Sequence, residues 1–183
     1  GANSTQEALE LTQKADQAGA DAFLLVAPYY NKPSQEGLFA HFSALAECTE
    51  KPIVLYSIPS RCGIEISTLT VSRLYEKHSN ICALKEAGGR SSKVSETACA
   101  VDESFVILSG DDGLTLPFMA CGAKGVISVA SNIIPSTVAN LVNLALQGNY
   151  LKARELHLEH FQFFSDIFIE PNPVPIKTLL NCK

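Results

Sequence analysis

Ile81-Cys82-Ala83-Leu84-Lys85 is the stretch on which the fold turns: four small or apolar residues closed by a lysine, too short for a stable helix and shaped for a buried strand. Four more runs of the same kind lie around it, at Ala22 to Ala27 and Pro52 to Ile58 before it, and at Phe105 to Leu108 and Gly125 to Ala130 after it. The intervening segments carry helical spacing and helix punctuation. Ser4-Thr5-Gln6-Glu7 is a capping-box sequence followed by Leu9, Leu11, Ala15 and Ala18, with Gly19 as a stop. Further helices are expected over Ser34 to Cys48, Ser67 to Lys77, Gly89 to Ala100 and Gly113 to Cys121, one after each strand. Two more, Ser136 to Gln147 and Asn149 to Ile169, follow the fifth strand with no strand between them. The prolines of Glu170-Pro171-Asn172-Pro173-Val174-Pro175 predict a turn before a last helix at Ile176 to Asn181. Repeated βα units require a parallel sheet, and this order fits either a doubly wound sheet or part of an eight-stranded barrel.

Composition narrows the classes. The chain has 183 residues, 46% hydrophobic and only 18% charged, a composition that folds rather than remaining disordered. Length and composition predict one domain over 1–183, with the repeated βα units over 1–134 running into a helical region over 135–183. With 14 Lys and Arg against 19 Asp and Glu, the net charge of -5 has the wrong sign for a nucleic-acid partner. The apolar runs fall far short of the roughly 20 residues that span a bilayer, so no membrane association is expected. The start Gly1-Ala2-Asn3-Ser4 lacks a basic segment and an apolar stretch, which makes the cytoplasm the expected location. Six cysteines without C-x-x-C spacing read as reduced thiols, several of them small hydrophobes within apolar runs.

In both candidate folds ligands sit at the carboxyl ends of the strands, and those ends hold reactive residues. The first strand runs into Pro28-Tyr29-Tyr30-Asn31-Lys32-Pro33, the second carries Tyr56 with Arg61 five residues on, the third ends Lys85-Glu86, and the fourth ends Ser109-Gly110-Asp111-Asp112. No G-x-G-x-x-G turn or phosphate loop ending Gly-Lys-Ser/Thr is present, which removes most of the support for nucleotide binding. Alternation puts Lys85 on one face with Ile81 and Ala83, where desolvation favours a neutral amine able to attack a ketone and form an imine. The competing reading is a lysine that reaches solvent at a strand end. Tyr56 and Tyr30 are phenols suited to proton transfer, or core aromatics with their hydroxyls at the rim. Arg61, in the loop that follows Tyr56, has the planar fork that grips a carboxylate in two hydrogen bonds, or is an exposed, salt-bridged arginine. His157 and His160 lack a third ligand at zinc spacing, and Asp111-Asp112 suits a helix start better than a magnesium site, so no metal is expected.

Taken together, Pro28-Tyr29-Tyr30-Asn31-Lys32-Pro33-Ser34-Gln35-Glu36-Gly37, Leu55-Tyr56-Ser57-Ile58-Pro59-Ser60-Arg61-Cys62-Gly63, Leu84-Lys85-Glu86-Ala87, Ser109-Gly110-Asp111-Asp112 and Gly125-Val126-Ile127-Ser128-Val129 closely resemble the dihydrodipicolinate synthase family. The order and spacing match along essentially the whole chain. The resemblance implies a class I aldolase on a (β/α)8 TIM barrel, condensing pyruvate with L-aspartate 4-semialdehyde on the route to diaminopimelate and lysine, with no cofactor. It makes Lys85 the Schiff-base lysine, Tyr56 the proton shuttle at that imine, and Tyr30 the tyrosine reaching across a dimer interface into a neighbouring site. It gives Arg61 to the semialdehyde carboxylate, Ile127 and Gly110 to the pyruvate pocket, and Asn3, Glu7 and Tyr29 to an allosteric lysine site. It also implies a homodimer or homotetramer.

Glu7 has a rival role as the fourth residue of the capping box. The related N-acetylneuraminate lyases share the lysine and tyrosine, and Arg61 with the Tyr-Tyr-Asn-Lys-Pro wording favours the synthase over that or another 2-keto acid aldolase. Ser57 stands where the family usually has asparagine. Family members are longer: the chain is expected to enter near the end of the third barrel strand and to stop before the last helices. The segment in front would carry the Gly-Thr-Thr-Gly-Glu stretch whose threonine bridges the two tyrosines. A catalytically silent scaffold is the alternative from another class.

Overall fold

The computed structural model describes residues 1–182 as alternating strands and helices. The chain divides into two compact units, Gly1–Ile107 and the residues from Leu108 onward. The first holds α1 (Thr5–Gln17), β1 (Phe23–Val26), α2 (Gln35–Glu47), β2 (Ile53–Ser57), α3 (Pro59–Cys62), α4 (Thr68–Lys77), β3 (Ile81–Glu86) and α5 (Ser91–Ala100). β4 (Val106–Ser109) spans the boundary, and the second unit continues with α6 (Thr115–Ala120), β5 (Gly125–Val126), a 3-10 turn (Ala130–Asn132), α7 (Pro135–Leu146), α8 (Tyr150–Asp166) and α9 (Val174–Asn181).

Helix boundaries follow local chemistry. Ser4, Ser34 and Ser67 each sit at an N-cap with extended backbone, and each hydroxyl accepts a backbone N–H from the first turn: Glu7, Gly37 and Thr70 respectively. Two expectations change. Pro175 lies inside the first turn of α9, where its missing N–H has no intrahelical partner to lose, so the helix starts before the last proline of the tail. The fifth strand stops at Val126 instead of running to Ala130, where the chain enters the 3-10 turn.

In the first unit β1, β2 and β3 pair in parallel and in chain order, and in the second β4 pairs in parallel with β5. One face of the first sheet presents Phe23, Leu25, Ile53, Leu55 and Leu84 to the helices, and these pack with Leu38, Phe42, Leu45, Val71, Leu74 and Val94 as a buried core. The other face carries Leu24, Val26, Val54, Tyr56, Ala83 and Lys85, with Leu24↔Val54, Val26↔Tyr56 and Tyr56↔Lys85 as register partners. Strict alternation breaks at Cys82: the register jumps from Ile53↔Ile81 to Val54↔Ala83. Lys85 therefore shares its face with Ala83, whereas Ile81 aligns with Ile53 on the helix side. In the second unit α7 packs on α6, α8 and the 3-10 turn around Phe118, Leu141, Ala145 and Ala153. Among the described residues no helix is long and apolar enough to cross a membrane.

Candidate active site

The carboxyl ends of β2 and β3 bring Tyr56 and Lys85 together. The Lys85 ammonium stands 4.0 Å from the centroid of the Tyr56 ring, over its face. Each member of this pair is half-buried. The ring covers one side of the amine against water while its π-face attracts the protonated form, so the amine has a fixed approach direction. Burial pushes the Tyr56 phenol above its ordinary range, and the positive charge of Arg61 pulls it part of the way back. A phenol held in its protonated form is a proton donor in waiting.

Arg61 lies on α3, a four-residue helix rather than the open loop that the sequence reading implied. Its signals are a proline at the first position and Gly63 just past the end at φ 73°, a left-handed conformation suited to glycine. Gly63 is crowded as well: a Cβ there would meet the Lys32 Cε at 2.6 Å. Cys62 ties α3 to the end of β1, its buried thiol donating to the Ala27 carbonyl at 3.2 Å, and burial pushes that thiol up, away from nucleophilic use.

The loop after β1 is unusual in its backbone. Tyr30 has φ 74° and is 89% exposed, while Lys32 has φ 46°. A bulky residue held left-handed and presented to solvent is a strained arrangement of the kind that clusters at functional sites. Asn31 bridges the loop to the start of the chain: its side-chain amide donates to the Asn3 carbonyl at 3.0 Å and its backbone N–H to the Tyr29 carbonyl at 2.9 Å. Asn3 and Tyr29 are thereby joined through one residue. Glu7 is exposed on α1, its backbone N–H donating to the Ser4 hydroxyl at 3.4 Å.

Gly110 and Ile127 belong to the second unit. The Ile127 N–H donates to the Ser109 carbonyl at 2.9 Å, extending the β4–β5 pairing by one bond. Asp112, which sequence reasoning gave only a capping role, is the organising group here. Its buried carboxylate accepts from the Ser128 hydroxyl, from Val129 N–H at 2.9 Å and from Ala130 N–H at 3.2 Å, and so sets the corner after Ile127. Asp111 Oδ1 accepts the Leu114 N–H at 3.1 Å, in the first turn leading into α6. His157 is buried against the rings of Phe161 and Phe164, at centroid distances of 5.4 and 6.0 Å. No cluster of three or more His, Cys, Asp or Glu side chains able to hold a metal exists among the described residues.

The model of the dihydrodipicolinate synthetase family matches residues 1–183. The 4-hydroxy-tetrahydrodipicolinate synthase of Sulfurihydrogenibium sp. is 53% identical over 178 residues, which cover 97% of this chain and 61% of that protein. Among solved structures, the 4-hydroxy-tetrahydrodipicolinate synthase of Methylacidiphilum fumariolicum SolV superposes with a TM-score of 0.98 at 55% identity, over 99% of this chain and 60% of that one. The chloride-inhibited dihydrodipicolinate synthase of Acinetobacter baumannii, complexed with pyruvate, gives 0.95 at 41% identity over 99% and 62%. The chain thus spans about three fifths of the length of the relatives it matches. A match this deep removes the doubly wound alternative and makes the βα units part of a (β/α)8 barrel. With its whole length matched by one family model and half of its residues shared with proteins of one name, the chain belongs to the dihydrodipicolinate synthetase family.

Proposed function

We propose that this chain carries the imine-forming centre of a 4-hydroxy-tetrahydrodipicolinate synthase, a lyase that condenses pyruvate with L-aspartate 4-semialdehyde in diaminopimelate and lysine biosynthesis. The observation that carries the reading is the Lys85 amine over the Tyr56 ring at the ends of paired strands. The neutral amine attacks C2 of pyruvate, and loss of water from the carbinolamine leaves an imine. The iminium withdraws electrons so that C3 gives up a proton, and the resulting enamine attacks the aldehyde carbon, whose oxygen is then protonated. The semialdehyde's own amine attacks the iminium carbon, closing the ring and releasing Lys85 as the free amine. Tyr56 supplies and recovers the protons of carbinolamine formation and collapse. Arg61, whose charge is felt at Tyr56, is the group for the semialdehyde carboxylate. Gly110 and Ile127 take the pyruvate-lining role that the resemblance gives them.

The exposed, strained Tyr30 supports assembly of copies into a homodimer or homotetramer, with Tyr30 serving a neighbouring site. The Asn3–Asn31–Tyr29 link supports a lysine effector site with Glu7 nearby on α1. The cytoplasm is the compartment that suits such a biosynthetic step. Turnover by the intact protein with pyruvate and the semialdehyde, followed by the loss of pyruvate, tests the reading. Cleavage of N-acetylneuraminate in place of this condensation would move the chain to the lyase branch.

A further inference from the structure

Glu86 follows Lys85 directly on β3 and is fully buried on the opposite face of the strand. Oε1 accepts the Gly88 N–H at 2.6 Å, whereas Oε2 is buried without a hydrogen-bond partner. An orphaned buried polar atom is costly, so an apolar residue would serve the core better. The turn after the strand is closed around this carboxyl group. A Cβ on Gly88 would lie 2.5 Å from Oε1 and 3.4 Å from a Glu65 carboxylate oxygen, so any larger residue there would push the Glu86 carboxyl group out of this position. The end of β3 is held on its other side by Ala87 N–H, which donates to the carbonyl of Ser57 at 2.9 Å; Ser57 is the register partner of Glu86.

We propose that Glu86 is a positioning residue for Lys85, its buried carboxyl group clasping Gly88 and so fixing the strand end that sets the lysine amine against Tyr56. This rests on Lys85 being the imine-forming residue. The charged groups facing Glu86 are Glu65, from the segment between α3 and α4, with Arg90 and Lys93 from the start of α5. Arg90 is committed to Glu65, bonding both carboxylate oxygens at 2.9 Å, and the buried Lys93 ammonium donates to the Ile66 carbonyl and the Thr68 hydroxyl. Neither cation makes a hydrogen bond to Oε2. Burial therefore outweighs these charges and the Gly88 bond, and the Glu86 carboxyl titrates above the ordinary glutamate range. Ionisation strengthens the Gly88 bond at Oε1 but leaves charge on Oε2, which has no hydrogen-bond donor, and so alters the clasp.

The test is the initial rate at which borohydride traps pyruvate on Lys85 in the intact protein between pH 5 and 8, for wild type, Glu86→Gln and Glu86→Ala, each normalised to its folded fraction. Glutamine keeps an acceptor for Gly88 and cannot ionise, so its rate relative to wild type should change by at least about threefold across the range, while alanine loses about 10- to 100-fold. A Gln-to-wild-type ratio that is constant with pH, or a folded Glu86→Ala protein that traps at the wild-type rate, overturns the proposal. If the alanine variant does not fold, the glutamine ratio decides alone. A wild type that traps no pyruvate on Lys85 overturns the reading of the lysine and this inference with it, whereas trapping with an unresponsive Glu86 overturns the inference alone.

Discussion

Lys85 and Tyr56 are register partners on neighbouring parallel strands, and the lysine ammonium lies over the tyrosine ring at 4.0 Å from its centroid. In a parallel sheet, partners on the same face have side chains at close quarters, so this contact is set by the backbone and does not depend on two flexible side chains meeting by chance. A change in strand register would separate them.

Tyr56→Phe keeps the ring and therefore the packing under Lys85, and removes only the hydroxyl. Stability by urea unfolding should stay within about 1 kcal/mol of wild type. Turnover should fall by roughly 10²- to 10⁴-fold, the range for losing a positioned proton donor. A steady-state assay beside the unfolding curves checks both.

Much of this arrangement is legible from local signals. Ser34 and Ser67 announce α2 and α4 because an N-cap acts through atoms three residues away. The strand ends announce Lys85, Tyr56 and Arg61 because barrel chemistry collects there. Other features depend on distant atoms. The bulge at Cys82 is invisible to an alternation rule, and it decides which residues share the face of Lys85. α3 is too short to show a period, although Pro59 and Gly63 bracket it. The early end of β5 follows from Asp112, more than a dozen residues upstream. A glutamate at a strand end reads as solvated, so nothing local marks Glu86 as buried.

Tyr30→Gly should relieve a left-handed backbone, which costs a side-chain-bearing residue about 1 to 2 kcal/mol, partly offset by the greater freedom of unfolded glycine. Conformational stability should rise slightly or hold. If the exposed ring serves a neighbouring copy, self-association should weaken at the same time, and sedimentation alongside unfolding separates the two effects.

Asp112→Ala removes one carboxylate acceptor from three donors, Ser128, Val129 and Ala130. A loss of about 3 kcal/mol in unfolding free energy is expected, with Asp112→Asn recovering part of it. The corner carrying Ile127 should loosen, visible as faster amide exchange at Val129 and Ala130.

His41 is buried on α2, its Nδ1 2.9 Å from the Thr5 hydroxyl and its Nε2 without a partner. Burial pushes its pKa down to about 4, below the unfolded value near 6.5. The neutral ring thus supports stability above about pH 6.5, and this contribution is lost as pH falls toward 4, by up to about 3 kcal/mol. Glu86 has the opposite sign: its raised pKa favours the fold below the unfolded value of about 4.5 and costs stability as pH rises through its folded value. Unfolding free energy measured from pH 4 to 8 should flatten on the acid side in His41→Gln, and rise on the neutral side in Glu86→Gln.

The most direct measurement is borohydride reduction of the intact protein with pyruvate, followed by peptide mass mapping. The expected result is one reduced pyruvyl group on the peptide containing Leu84-Lys85-Glu86, absent without pyruvate and absent in Lys85→Ala. Labelling of a different lysine, or condensation that survives Lys85→Ala and is abolished by a chelator, would contradict imine catalysis at Lys85.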